Sequence, residues 1–374
     1  MIARQDVERL LRRHAGDHPV LSVFLDMRVN SENKRTHGVF LNKQRGRYET
    51  AATERGDSRN RVGEAFSRIE AWLADDFDES NKGVACFAEV GGDWFDAIQI
   101  PVPLAFRAAL TVLPVVGPLV EVMASYRHHG VVLVDRQHLR LMSMYLNEPV
   151  HEIQHEGEPS PKPHDVQRGA YSYRDYHDRR AVQETKQFFR EFAGEVTRFS
   201  ERFRPHDLIL LGTESNVKKF REQLPAKLAE KVVYEDRAPV DADQAEIVER
   251  VRPFITAQAD AREAEAVREL RNRIQQDHYA VCGFRDTLAK LQEHKVDRLV
   301  LARDMERSGA CCCQCGFFFD EAHPTCPYCG GETRLEADLV EAMIRLAEET
   351  GAGIEFVNAD TLREQHGVGA LLRF

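Results

Sequence analysis

Six of the eight cysteines in this 374-residue chain lie between Cys311 and Cys329, and they constrain the local fold more than any other feature. Four of them form two Cys-x-x-Cys-Gly knuckles. In such a knuckle the two thiolates bend around one metal ion, and the glycine permits the turn that follows. Two knuckles fill every position of a tetrahedral site, so the sequence predicts one structural Zn²⁺ bound by Cys312, Cys315, Cys326 and Cys329.

The neighbouring cysteines leave the register of the ligands open. Cys311 and Cys313 offer alternative thiols and His323 lies between the knuckles, but only Cys312 leaves a two-residue gap within the first knuckle. We expect residues 311–331 to form a zinc ribbon that protrudes from the surface, because so short a segment buries little core without its metal.

The composition is that of an ordinary globular protein, with 43% hydrophobic and 30% charged residues, and the length suits two or three domains. The N-terminal segment is charged and lacks an apolar secretory core, and the most apolar stretch, residues 108–120, is too short to cross a bilayer. We therefore expect a cytoplasmic protein without a membrane partner, in which clustered thiols bind metal. The net charge of −10 argues against an overall basic surface but is compatible with local basic patches.

Residues 1–124 are predicted to form an α+β domain. Runs of β-branched and aromatic residues at 20–27 and 82–90 predict strands, and a long helical pattern between them runs to about Leu73. An amphipathic helix is expected before the first strand, and residues 108–120 are expected to form a core strand and a turn.

Residues 125–258 are predicted to form a central α/β domain, with strands at 130–135 and 207–213 that are each followed by further regular elements. One helix carries an apolar stripe at alternating spacings of three and four residues, formed by Phe189, Phe192, Val196, Phe199 and Phe203. Such a stripe is typical of a helix face that packs into a core.

Residues 259–374 alternate helices with short buried strands, which predicts an α/β/α sandwich. The cysteine segment interrupts this pattern between a strand, DRLVLAR, and a helix expected over residues 335–351.

A basic stretch in the first domain is a candidate RNA contact. Its cations stand near a single acid, Glu32, and comprise Lys34, Arg35, Lys43, Arg45 and Arg47. A few well-placed cations are enough to bind phosphates. The alternative interpretation is an ordinary solvated loop and helix start.

The last two thirds of the chain resemble the archaeal and eukaryotic class-I peptide-chain release factors and Pelota. Residues 280–305, AVCGFRDTLAKLQEHKVDRLVLARDM, are similar to the start of their C-terminal domain, although Lys290 and His294 replace an alanine and a glycine of the G-x-x-D-T-L-x-A-L-x-x-G-x-V run. Residues 207–224 resemble a strand and helix of their central domain, and the ending HGVGALLRF is similar to that of bacterial members. Archaeal release factors also insert a zinc ribbon after the corresponding strand.

The resemblance implies three domains with a tRNA-like outline that enter the ribosomal A site. The first domain would approach the decoding centre, the RNase H-like central domain would reach the peptidyl transferase centre, and the third would contact stalk proteins or a translational GTPase such as elongation factor Tu. The bacterial branch includes the ribosome hibernation factor Balon, so the resemblance implies a monomeric, Balon-like factor that binds ribosomal RNA.

Release factors carry a Gly-Gly-Gln motif on a long loop of the central domain, and this chain has no such motif. We expect the corresponding loop at residues 151–180, where arginine and tyrosine side chains suit contacts with phosphates and unpaired bases. The candidate RNA-binding residues there are Gln167, Arg168, Gly169, Tyr171, Tyr173 and Arg174. Without Gly-Gly-Gln we assign no catalytic residue and expect no peptide release.

Three functions remain open at the level of sequence. The first is a non-catalytic ribosome-binding factor that acts in hibernation or in rescue of stalled ribosomes. The second is a peptidyl-tRNA hydrolase or tRNA-cleaving enzyme that uses the 151–180 loop, although the predicted central strands offer only Asp135 and Asp207 as metal-binding carboxylates. The third is a protein-interaction scaffold without a ribosomal role, for which the acidic net charge is the best argument.

Overall fold

The structure, a computed structural model, describes residues 4–13, 18–31, 33–54, 59–125, 127–145, 148–156, 170–321 and 323–374. Contacts divide the chain into two units, one formed by Met1–Ser125 with Ala259–Phe374 and the other by Tyr126–Gln258. The three-domain division at residues 124/125 and 258/259 stays a prediction. None of the described helices combines the length and the apolar run that crossing a bilayer requires.

The N-terminal segment of the first unit is an antiparallel sheet covered by two helices. Its elements are α1 (Arg4–Leu11), β1 (Val20–Asp26), α2 (His37–Glu54), α3 (Arg59–Asp75), β2 (Gly83–Glu89), β3 (Phe95–Ile100), β4 (Arg107–Thr111) and α4 (Gly117–Ser125). The strand order is β3-β2-β1-β4. Leu41 of α2 and Phe66 of α3 are buried against alternate residues of β1, such as Val23, because side chains of a strand alternate between its two faces.

The second unit is built on a five-stranded sheet of order β7-β6-β5-β8-β9, in which β5, β8 and β9 are parallel. Its elements are β5 (His128–Val134), β6 (His138–Tyr145), β7 (Glu148–Glu156), α5 (Ala170–Phe203), β8 (Asp207–Gly212), α6 (Glu214–Arg221), α7 (Ala226–Ala229), β9 (Val232–Asp236) and the first part of α8 (Gln244–Gln275).

Both faces of this sheet are buried, which explains why its central strands are apolar throughout. Val132 and Leu210 face α5 and α6 on one side, whereas Val131 and Ile209 face α8 on the other. The predicted phenylalanine stripe of α5 is confirmed as core, with Phe189 and its partners buried and Phe203 packed at the edge.

The expected loop at residues 151–180 is partly regular, which corrects the sequence interpretation. Strand β7 continues to Glu156 and α5 begins at Ala170, so only residues 157–169 lie outside the described part of this region. The polar sequence of β7 did not indicate a strand. Its Ile153 packs against the core, and β7 forms the edge of the sheet through its pairing with β6.

The C-terminal segment of the first unit contains two further sheets. Its elements are β10 (Ala280–Cys282), α9 (Phe284–Gln292), β11 (Val296–Ala302), β12 (Ser308–Cys312), β13 (Phe318–Phe319), β14 (Thr333–Asp338), α10 (Leu339–Thr350), β15 (Gly353–Val357), a 3₁₀ helix (Ala359–Gln365) and β16 (Val368–Leu372). One sheet has the order β10-β16-β11-β15, and the other, β13-β12-β14, carries the cysteines. The mixed α/β character predicted for the chain is thereby confirmed.

Two predicted boundaries differ from the structure. Residues 335–338 extend β14 rather than the following helix, because they pair with β12, and α10 begins only after the Asp338 side chain caps it. The apolar stretch 108–120 ends in helix α4, which begins at Gly117, and not in a simple turn.

The two segments of the first unit join through polar groups at the start of α10. Glu341 accepts hydrogen bonds from the backbone N–H groups of Val116 (2.6 Å) and Gly117 (2.9 Å) at the first turn of α4. Arg345 donates to the carbonyl of Pro114 at 2.8 Å, and Arg107 pairs with Asp338. These bonds satisfy backbone groups at a helix end that would otherwise lack partners.

Candidate functional site

The two cysteine knuckles fold into similar turns at one end of the β13-β12-β14 sheet. Gly316 and Gly330 each have φ of 73°, a left-handed conformation that favours glycine. The N–H of Gly316 donates to the carbonyl of Cys312, and that of Gly330 donates to the carbonyl of Cys326. The knuckle geometry expected from the sequence is therefore present on both sides.

The turns bring together the four cysteines that the spacing singled out, with all four sulfur atoms within 4.8 Å of one another. The Sγ atoms of Cys312 and Cys329 are 3.4 Å apart, and those of Cys315 and Cys326 are 3.7 Å apart. Tetrahedral zinc with Zn–S bonds of about 2.3 Å requires sulfur atoms about 3.8 Å apart. The donor set fits a Zn²⁺ ion with small side-chain adjustments.

The thiols differ in acidity because they share hydrogen bonds. The backbone N–H of Cys315 donates to the Cys312 sulfur at 3.4 Å and, with that of Gln314, lowers the pKa of Cys312 to about 6. Although the N–H of Phe317 acts in the opposite direction, desolvation and the contact with Cys312 raise the pKa of Cys315 to about 12. A cluster that readily ionises one thiol but resists further negative charge is suited to a bound cation.

The cysteine sheet is attached to helix α9, a feature that no local sequence signal indicated. The side chain of Gln292 accepts from the N–H of Phe318 at 2.7 Å and donates to its carbonyl at 3.2 Å. Arg285 pairs with Asp320 and Glu321. The segment that was expected to protrude freely is thus held against α9 by side chains of that helix.

The additional candidate ligands lie outside the sulfur cluster. Cys311 lies in β12 and directs its sulfur toward the carbonyl of Cys312 at 3.6 Å, and Cys313 is exposed. The ring of His323 packs against Phe319. In the described part of the chain, neither these cysteines nor the histidine belongs to a group able to hold a metal.

Two of the five cations in the basic stretch are engaged within the fold. Arg35 donates to the carbonyl of Met27 at 3.1 Å and pairs with Glu79, and Arg45 pairs with Glu70 at 2.7 Å. Their positive charge is therefore largely compensated by acids distant in the sequence.

The other cations of the stretch remain exposed. Lys43 and Arg47 lie one turn apart on α2, where residues four positions apart share a face. Val39, a turn earlier, is 75% exposed. Lys34 is exposed in the turn before α2. We call the exposed surface formed by Val39, Lys43 and Arg47 the α2 face, and contact of the basic stretch with RNA stays a prediction.

Of the candidate RNA-binding residues in the central loop, Gln167, Arg168 and Gly169 lie outside the described residues. Tyr171, Tyr173 and Arg174 belong to the first turns of α5. The structure therefore places half of this set on a helix rather than on a loop.

Comparison with known proteins identifies the central part of the chain. Residues 114–255 match the family described as bacterial archaeo-eukaryotic release factor family 10. This segment belongs to the archaeo-eukaryotic release factor and Pelota superfamily. The resemblance inferred from the sequence is thus confirmed at the level of the superfamily.

The relatives outside the bacterial family are release factors. Peptide chain release factor subunit 1 of Pyrococcus abyssi is 28% identical over 152 residues, and that of Thermococcus kodakarensis is 26% identical over 152 residues. Each match covers 34% of this chain and 37% of the relative, so the chain spans little more than a third of the relatives' length.

Among solved structures, Saccharomyces cerevisiae Dom34, described as a translation termination-like factor, is 8% identical, with a TM-score of 0.42 and coverage of 80% of this chain and 82% of that chain. The similarity to release factors therefore rests on the sequence match of residues 114–255.

The second unit does not bring its two candidate carboxylates together into a metal-dependent nuclease site. Asp135 follows β5 and accepts from the N–H groups of Gln137 and His138, whereas Asp207 begins β8 and pairs with Arg127. Because β5 and β8 run parallel, the two aspartates lie at opposite ends of the strands, roughly 20 Å apart. Two-metal catalysis requires carboxylates that surround ions about 4 Å apart.

Proposed function

We propose that this chain is a ribosome-associated factor that binds the A site in the manner of a release factor and acts in hibernation or rescue without releasing peptide. The observation that carries the proposal is the match of residues 114–255 to a bacterial release factor family. The strand order of the second unit, with three antiparallel strands followed by two parallel ones, supports the RNase H-like assignment of its central domain.

The proposal extends to the other parts of the chain. One structural Zn²⁺ bound by the four clustered cysteines would stabilise the sheet that carries them, and its closed ligand set leaves no position for a substrate. The absence of Gly-Gly-Gln supports binding without peptide release. The candidate partners are ribosomal RNA and a translational GTPase such as elongation factor Tu, and we propose a cytoplasmic monomer of the Balon-like branch.

Sedimentation tests this function directly. The purified protein is mixed with ribosomes that have either an empty A site or an A site filled with tRNA, and each mixture is centrifuged through a sucrose gradient. We expect the protein to move with the ribosomes when the A site is empty and to remain at the top when tRNA occupies it. Protein that stays at the top in both mixtures would exclude the ribosomal role and favour an interaction scaffold.

A further inference from the structure

A cavity of about 530 Å³ lies in the second unit, at the carboxyl ends of the parallel strands β5 and β8. Its walls come from the turn after β5, from α5 and from α6. In open α/β sheets the crevice at the carboxyl ends of adjacent strands is a common location for ligands. The volume lies in the range of sites for small molecules the size of a nucleotide.

Three cations converge on this cavity. Arg136, Lys186 and Lys219 line it and are exposed, and within the described residues none of them has a hydrogen-bond or ion-pair partner. Neighbouring arginines of the same unit do find acids, as Arg221 does with Glu235 at 2.7 Å. The lining contains one carboxylate, Glu222, so positive charge prevails.

A buried amide also faces the cavity without a partner. Asn216 is only 8% exposed and lines the cavity, and its backbone N–H is used in the cap formed by Thr213. Among the described residues its side-chain amide has no hydrogen-bond partner. Its polar atoms do not belong to the fully buried unpaired groups, so the amide stays open at the cavity and is available to hydrogen-bond a ligand.

Helix α6 begins at the cavity wall. Gly212, with φ of 154°, lets the chain pass close to β5, since an added Cβ would lie 2.4 Å from the carbonyl oxygen of Val134. Thr213 and Ser215 follow at the first turn and line the cavity, and the Thr213 hydroxyl accepts from the N–H of Asn216. Backbone N–H groups at a helix start, together with nearby cations, favour an anion.

We propose that this cavity binds a phosphate group. The three cations suit a doubly charged oxyanion, and the guanidinium of Arg136 can donate two parallel hydrogen bonds to it. The phosphate belongs either to a free nucleotide-sized molecule or to the backbone of ribosomal RNA, and only the second source rests on the proposed function.

Two substitutions and one matched control test the site. Lys219→Glu reverses a cation of the lining, and Asn216→Asp places a carboxylate where the amide stands. Lys218→Glu makes the same charge change at the adjacent exposed position of α6, which does not line the cavity. Thermal unfolding verifies that the variants are folded, and Lys219→Glu keeps the test valid if Asn216→Asp is unstable.

Each variant is measured in two ways. Calorimetric titration with pyrophosphate and with guanosine monophosphate reports binding of a free phosphate group, and co-sedimentation with ribosomes reports binding of RNA. Because hydrogen bonds to charged groups contribute more than neutral ones, we expect Lys219→Glu and Asn216→Asp to weaken binding at least about tenfold and Lys218→Glu to leave it unchanged.

Weakening in the titration assigns the site to a free molecule, and weakening only in co-sedimentation assigns it to RNA. Equal behaviour of Lys219→Glu and Lys218→Glu in both measurements overturns the phosphate site but leaves the ribosomal function intact if the unmodified protein still sediments with ribosomes. If the unmodified protein does not sediment with ribosomes, the proposed function fails. The titration alone then decides whether the cavity binds phosphate. A protein that binds neither pyrophosphate nor guanosine monophosphate overturns the phosphate site.

Discussion

At the scale of single residues, replacement of Cys326 tests whether the four clustered cysteines bind a metal ion. Serine cannot replace a thiolate ligand, and zinc contributes on the order of 10 kcal/mol to the folding of such small sites. We expect the purified protein to contain one zinc per chain and Cys326→Ser to contain almost none. Elemental analysis measures this, and circular dichroism should show that the other cores stay folded.

Cys313→Ser is the matched control for the zinc prediction. Cys313 is exposed beside the first knuckle and lies outside the sulfur cluster, so its loss should leave the zinc content at one per chain. Zinc lost equally from both variants, or absent from the unmodified protein, would contradict the ligand assignment.

Glu341 predicts a pH dependence of stability. Desolvation raises the pKa of Glu341 above its usual 4.5. Two backbone N–H groups and Arg345 favour the charged form and lower the pKa, but desolvation is the larger effect. The folded state therefore holds this proton more tightly than the unfolded state, so the site stabilises the fold fully below about pH 4.5 and progressively less as pH rises through the raised pKa.

We expect Glu341→Gln to flatten this fall in the free energy of unfolding, as measured by urea titrations across the acidic range. Glu349→Gln removes the same charge from an exposed position of α10 and should preserve the slope. An identical slope in both variants would show that the dependence arises elsewhere.

At the scale of elements, the junction of β8 and α6 depends on Gly212. A Cβ there would collide with the carbonyl of Val134, and the positive φ is unfavourable for any other residue. We expect Gly212→Ala to lower the free energy of unfolding by about 1–3 kcal/mol in urea titrations.

Gly194 provides the opposite case within the same unit. It lies inside α5 with nothing within 4 Å of an added Cβ, so Gly194→Ala should stabilise the protein by about 0.5–1 kcal/mol. The same sign of change in both variants would contradict the conformational argument.

The α2 face makes a prediction about RNA contact. Lys43→Glu with Arg47→Glu should weaken ribosome binding and reduce its dependence on salt by about one unit of slope per lost phosphate contact. Lys218→Glu with Lys227→Glu changes the net charge equally at exposed positions of the second unit and should preserve the slope. Co-sedimentation at several salt concentrations measures the salt dependence of ribosome binding for both double variants. Equal slopes would show that the α2 face is an ordinary solvated surface.

At the scale of the whole molecule, the proposed function predicts occupancy of the ribosome without chemistry. Release factors use two adjacent glycines to bring the backbone close to the ester, and here Gly169 is followed by Ala170. We expect no release of peptide from ribosomes loaded with peptidyl-tRNA, measured as free labelled peptide over time. Multiple-turnover release that is lost in Gln167→Ala would instead support the enzymatic alternative.

The whole molecule also joins distant segments of the chain. Arg345 donates to the carbonyl of Pro114, and Glu341 caps the start of α4, so the first and last segments share one unit. The sequence contained the two partners of each bond but no indication of their pairing, since hydrogen bonds between segments more than 200 residues apart leave no periodic pattern.

The sequence by itself determined the features that depend on neighbouring residues. The knuckle spacing around Cys312 and Cys326, the phenylalanine stripe of α5 and the buried central strands were all predicted, because short-range geometry and the alternation of apolar residues encode them. Only the tertiary structure decided that polar β7 is a strand, because its pairing with β6 stabilises it. Likewise, only folding brought Glu79 to Arg35 and assembled Arg136, Lys186 and Asn216 around one cavity, since these residues come from separate elements and meet only when the sheet is formed.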